Sequence, residues 1–168
     1  MPMKDALLAE FEQEMKTTRK VLDHIPAGQF DFKPHPKSWK LSELASHVVN
    51  IPYWGALTME SQEFDYAPVG GPPPKTPEAA SKEELVEVFE KNAAGMRSAL
   101  AAANDEDLMK PWTLKAGGQS LFTLPRAAVL RSMVMNHHIH HRAQLSVYLR
   151  LAGGTVPAMY GPSADEQQ

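Results

Sequence analysis

The chain has 168 residues, 17 Lys plus Arg against 20 Asp plus Glu, and no cysteine. This length fits a single domain spanning 1–168, and the missing cysteine excludes disulfides, thiolate metal sites, iron–sulfur clusters and cysteine nucleophiles. The slightly acidic balance argues against nucleic-acid binding through phosphate neutralisation, and no apolar run approaches the ~20 residues of a membrane span.

The N-terminus, MPMKDALLAEFEQEM, is amphipathic and acidic and lacks a signal-peptide layout, so a cytoplasmic protein is expected. Residues 4–24 carry Leu7, Leu8, Phe11, Met15, Thr18 and Leu22, followed by Ile25, which is a helical stripe with Glu and Lys between. Residues 26–40 hold three prolines and read as an ordered loop. A second helix is expected over 41–61, with Ser42 as N-cap and Leu44, His47, Ile51, Trp54 and Thr58 on its stripe. Pro52 lies inside it and predicts a kink or an early end.

Residues 65–80 form a Pro/Gly linker. Ser81 and Glu84 have capping-box spacing for a third helix over 82–103, whose stripe is Leu85, Phe89, Asn92, Met96, Leu100 and Ala103. Residues 104–124 read as loop, within which WTL and SLFTL flank Lys115–Gly118 as a small hairpin. A fourth helix starts near Pro125, runs to about Ala152 and ends at Gly153–Gly154. The tail beyond it is irregular. Four helices of this length predict an all-α four-helix bundle. A linker of 16–19 residues can span ~50–60 Å against ~30 Å for a 20-residue helix, so an up-down-down-up order is allowed.

Three histidines fall where apolar residues belong. The stripe of the fourth helix is Leu130, Val134, His137, His141, Leu145, Tyr148 and Ala152, so His137 and His141 project one turn apart from one face. His47 sits mid-stripe on the second helix. Three imidazoles in an apolar interior are costly unless something binds them, and a divalent metal does so while leaving coordination positions open. Imidazole and water suit zinc, nickel, iron or copper. Core histidines hydrogen-bonded to backbone and carboxylates are the alternative.

Glu43, Asn50 and Gln144 lie one turn from these histidines and are candidates to orient them. Asn92 interrupts its stripe and can face the same pocket. His138 and His140 lie about 60° and about 100° off the stripe centre, which places them at a boundary or on the surface. His35 sits between two prolines in a loop, His24 closes the first helix, and Trp39, Tyr53 and Trp54 are expected to pack the bundle end. No E-x-x-H pair occurs on two helices, and HExxH, G-x-S-x-G and a Gly-rich phosphate loop are absent.

At these residues the sequence resembles the DinB/YfiT-like superfamily. WKLSELASHVVN around His47 is similar to the family's second-helix motif, and NHHIHHRAQLSVYLR is similar to the fourth-helix motif with two histidines one turn apart. LKAGGQSLFTLPR and VPAMYGPSADE resemble the segments before and after that helix. Ala143 stands where many relatives carry glycine. The resemblance implies an up-down-down-up bundle, usually a homodimer, with His47, His137 and His141 holding one nickel, zinc or iron ion. It also implies thiol-dependent S-transfer or isomerisation with a low-molecular-weight thiol such as mycothiol or bacillithiol, or metal-dependent hydrolysis.

Two functions follow. One is an enzyme in which the metal activates a water or a thiol towards a small-molecule electrophile, with no catalytic residue identified beyond the ligands. The other is a non-catalytic, stress-related metal or small-molecule binder. The face of the fourth helix opposite its histidines, Met135, Ile139, Ala143 and Val147 with Ser146 beside it, is expected to build the dimer unless a loop covers it.

Overall fold

Phe11, Met15, Thr18 and Leu22 recur at helical spacing and are all buried on one side of α1, Met3–Asp23. The computed structural model describes residues 2–72 and 75–166, so Pro73 and Pro74 of the Pro/Gly linker and the last two tail residues lie outside it. Helix α2 spans Leu41–Glu60 and α3 spans Lys82–Ala102. The third stripe packs as expected, with Leu85, Phe89, Met96 and Leu100 buried. Ser81 caps α3 by accepting from the Glu84 N–H at 3.1 Å, while the Glu84 carboxylate takes the Ala80 N–H at 2.7 Å.

The start of α2 departs from expectation. Lys40 is the N-cap residue, and the Glu43 carboxylate accepts its N–H at 2.7 Å. Ser42 is buried inside the first turn and donates to Glu78 at 2.6 Å. Pro52 does not end the helix, which continues to Glu60.

Contacts between helices give their relative directions. Lys4 reaches the Ala101 carbonyl and Arg19 pairs with Glu90, so α1 and α3 run oppositely. Asn92 donates to the Val49 carbonyl and Gly55 abuts Met96, so α2 and α3 run the same way. Each of these pairs buries its apolar stripe against the other.

The expectation of an all-α fold is corrected. A short helix α4, Asp105–Met109, leads into strands β2, Pro111–Ala116, and β3, Gln119–Pro125. These are the two arms of the expected hairpin, turned by Gly117 and Gly118 at φ 59° and 77°. A third strand, β1, Glu63–Asp65, follows α2 directly and pairs parallel to β2. Asp65 locks this sheet by accepting N–H donors from Ala67, Gly117 and Gly118 at 3.0, 3.1 and 2.6 Å. A three-residue strand whose partner lies fifty residues away has no local periodicity to announce it.

Pro125 ends β3 and caps the last long helix. That helix has three parts: α5, Arg126–Val129, a π-helical stretch, Leu130–Asn136, and α6, His137–Leu151. Arg126 donates to the Ser61 carbonyl at 2.8 Å and Tyr148 to the Trp39 carbonyl at 3.2 Å, so the last helix runs opposite to α2. Gly153, at φ 79°, terminates it.

The π turns change which residues face inward. Each i→i+5 turn takes up roughly one residue more than an α turn. Beyond it the buried positions are His138, Arg142, Leu145 and Leu149, while His137 and His141 sit one step round, half-buried. His138 therefore corrects the sequence reading: it is 1% exposed, not a surface residue. Met135, expected on the outer face, is buried too, whereas Ala143 and Val147 are exposed. Among the described residues, no helix is long and apolar enough to cross a membrane.

Candidate functional site

Helix α2 and the last helix meet at His47, His137 and His141. One ring nitrogen from each lies within 4.8 Å of the others. His47 Nε2 and His137 Nε2 face each other at 3.2 Å. Two imidazole nitrogens on one tetrahedral zinc, each at about 2.0–2.1 Å, would sit roughly 3.3 Å apart, so the closest pair is spaced for a shared cation.

The outer nitrogens decide what the inner ones offer. His137 Nδ1 lies 3.3 Å from the Met133 carbonyl, and His141 Nδ1 lies 2.7 Å from Gln144 Oε1. Both oxygens only accept, so each ring holds its proton on Nδ1 and presents Nε2 as an acceptor or ligand, that of His137 towards His47 Nε2. Burial lowers the His47 pKa to about 4, and the His141 and His137 rings add to the shift. Burial lowers His137 and His141 as well. At neutral pH the three rings are therefore uncharged and present ligand lone pairs. This donor set fits a divalent transition metal.

The candidates for orienting residues separate. Gln144 touches His141 as described. Asn50 instead donates to the Ser46 carbonyl at 2.8 Å and faces Asn92 Nδ2 at 3.4 Å. Glu43 caps α2 through Lys40 and lines the neighbouring cleft.

Sequence reasoning missed the aromatic wall. Trp39, expected at the bundle end, stacks on His141 with centroids 5.8 Å apart and meets the His47 ring edge-on at 5.2 Å. Trp54 packs against His47 and His137, both at 5.5 Å. Trp54 sits two turns from His47 on the same stripe, and that spacing was the available signal. Trp39 comes from a loop and had none. His140 is exposed, with its ring 4.9 Å from His141. His24 holds the Lys20 carbonyl at 2.8 Å, closing α1, and His35 is exposed in its loop.

On the other side of α6 lies a second polar group, in which Arg142, Glu14, Thr18 and His138 are buried. Arg142 pairs with Glu14 at 2.6 Å and also donates to the Glu14 carbonyl at 2.9 Å. Tyr160 from the tail adds its hydroxyl to Glu14 at 2.7 Å. His138 Nε2 lies 2.6 Å from the Thr18 hydroxyl. Burial, then the Arg142 charge, lowers the His138 pKa to about 3. Its Nδ1 has no partner at hydrogen-bond geometry, but the Val48 carbonyl lies beside the ring. Pro52 has no N–H, so that carbonyl lacks its helical donor.

Two hollows adjoin the histidines. An open cleft of about 880 Å³ includes His47, Ser46, Asn50 and Asn92 in its wall. A slot of about 270 Å³ includes His137. Trp54, Phe64 and Tyr66 line both.

The sequence model of the DinB family matches residues 1–168. The uncharacterized protein YrdA of Bacillus subtilis (strain 168) is 25% identical over 162 residues, covering 96% of this chain and 90% of YrdA. The crystal structure of a DinB-like protein from Bacillus cereus ATCC 10987 superposes with a TM-score of 0.69 at 23% identity, covering 93% of this chain and 97% of that one. The DinB-like protein YjoA from Bacillus subtilis gives a TM-score of 0.70 at 20% identity, covering 94% and 99%. At these identities the two structures speak to the fold alone.

Proposed function

Because the chain belongs to the DinB family, we propose that it is a metal-dependent enzyme whose His47, His137 and His141 hold one divalent ion, nickel, zinc or iron. The observation that carries this is the convergence of one ring nitrogen from each histidine within 4.8 Å, with acceptors behind His137 and His141 that hold their protons on Nδ1. The helix contacts support the up-down-down-up order, which brings α2 and the last helix side by side for this purpose.

An ion with three neutral ligands keeps its full charge, which brings water towards a pKa of about 7 and deprotonates a thiol. The chain's own residues do the rest. Met133 and Gln144 hold two rings in the ligating tautomer, Trp39 and Trp54 shield the cluster, and the cleft admits a small-molecule substrate. With no cysteine in the chain, thiol transfer requires an exogenous low-molecular-weight thiol. Hydrolysis needs only water. A non-catalytic binder is the second reading, favoured by Glu43: the acid nearest in sequence is occupied in capping α2.

The test is elemental analysis of untagged protein and of three single His→Ala variants. One divalent ion per chain, lost in each variant, is expected; unchanged metal content in all three sinks the proposal. Turnover of a thiol-plus-electrophile panel, or of an ester panel, by the metal-loaded protein separates enzyme from binder. We also propose a homodimer through the exposed side of the last helix, for which sedimentation should give about twice 18.6 kDa.

A further inference from the structure

The slot beside His137 has a wall unlike that of the cleft. Leu57 of α2, Phe64 of β1, Leu114 of β2, Phe122 of β3 and Met133 of the π stretch all contribute to it. Two of its hydrogen-bonding members, Thr58 and Trp112, are turned away: the Thr58 hydroxyl donates to the Trp54 carbonyl at 2.8 Å, and Trp112 Nε1 donates to Ser61 Oγ at 3.0 Å. A charged group held among Leu57, Phe64, Leu114 and Phe122 would lose its water with little in return. At about 270 Å³ the slot exceeds the ~150 Å³ that suffices for benzene in a dry apolar cavity. One ring with a short linker fits.

The cleft is mixed, with Glu43, Ser46, Asn50 and Asn92 set among aromatic side chains. The histidine cluster stands at the junction, since His137 lines the slot and His47 lines the cleft. We infer that the slot is a binding site for a ring-sized, uncharged apolar group, and that the substrate is an amphiphile whose polar part lies in the cleft. The orientation of the reacting bond towards the cluster rests on the proposed metal function; occupancy of the slot does not. The three-stranded sheet is what makes the site, because Phe64, Leu114 and Phe122 all stand on it.

The probe is 4-fluorobenzyl alcohol, followed by fluorine NMR and tryptophan fluorescence on metal-free and metal-loaded protein. Saturable one-site binding near about 1 mM or tighter is expected, with no competition from ethylene glycol. Leu114→Trp should fill the slot and weaken binding at least about tenfold. Met133→Glu, at a position 38% exposed and hence tolerant, should do the same by placing a charge at the wall. Absence of saturable binding, or binding undiminished in both folded variants, overturns the inference. Metal content is measured on the same samples. Loss of metal in His141→Ala should leave probe binding intact, so the slot and the metal reading fail separately.

Discussion

Two neighbouring pairs on α6 have the same kind of side chains and opposite fates. His137 and His141 face α2 half-exposed, each with Nδ1 on an acceptor and Nε2 left to the histidine cluster. His138 and Arg142, one residue along from each, face α1 in full burial, tied to Thr18 and Glu14. On the inner side Arg142, Glu14 and Thr18 bond to one another, which is the condition for holding a charge pair in a core, and His138 gives one nitrogen to Thr18 while the other rests beside the Val48 carbonyl. On the outer side satisfaction is left incomplete, and an incomplete set of convergent lone pairs is what a ligand can use. The comparison teaches that histidine count in the block NHHIHH says little; the partner behind each ring assigns its role.

The largest effect should come from the inner side. Arg142→Ala strands the Glu14 carboxylate in the core and should cost about 3–5 kcal/mol in urea unfolding of the metal-free protein. A cost under about 1 kcal/mol would mean that Glu14 simply takes up a proton or reaches water, and the contrast between the two sides would collapse. Next, His138→Ala should destabilise by about 2–3 kcal/mol through the cavity and the lost Thr18 contact. His137→Ala in the same metal-free assay should cost less than about 1 kcal/mol, since a half-exposed ring gives up little. Equal losses would erase the distinction.

Within the outer side, Gln144→Ala should weaken metal affinity about 10–100-fold without changing stoichiometry, because His141 loses the acceptor that fixes its tautomer. Isothermal titration with zinc reads this directly. The smallest effect concerns the tail that brings Tyr160 to the inner group. Hydrogen bonds from Arg150, then from the Val156 N–H, hold the Asp165 carboxyl down at about 2. A carboxyl with a depressed folded-state pKa contributes stability above its unfolded value, near 3.8, and loses it as pH falls through about 2. Protection of the tail amides relative to their intrinsic exchange rates should fall over that window and stay constant above pH 5, while Asp165→Asn should show little protection throughout. The group is exposed, so global stability should hardly move.

The bundle was legible because its helices carry local signals. Ser81 with Glu84 announced α3, and a stripe with His47 in it announced α2. The three histidines could be brought together from spacing alone, since i and i+4 share a face and both stripes must look inward. What escaped was either non-local or a break in periodicity. Strand β1 exists only through its pairing with β2, and Trp39 reaches His141 from a loop, so neither leaves a local mark. His138 and Arg142 escaped because 100° per residue was applied across Leu130–Asn136, where the helix is wider. Pro52 misled for a related reason: in isolation it breaks a helix, but here the carbonyl it deprives lies against the His138 ring.

The π stretch also bears on how such a site can come and go. Removing a single codon anywhere between Leu130 and Asn136 would let the helix close to regular α geometry without shortening its contacts at either end. The pairs downstream would keep their environments, whereas forcing α geometry on the intact sequence would turn everything downstream by about 100° and exchange the inner and outer pairs. The extra residue held in the π turns thus sets the phase in which this helix turns His138 and Arg142 inward and His137 and His141 towards α2.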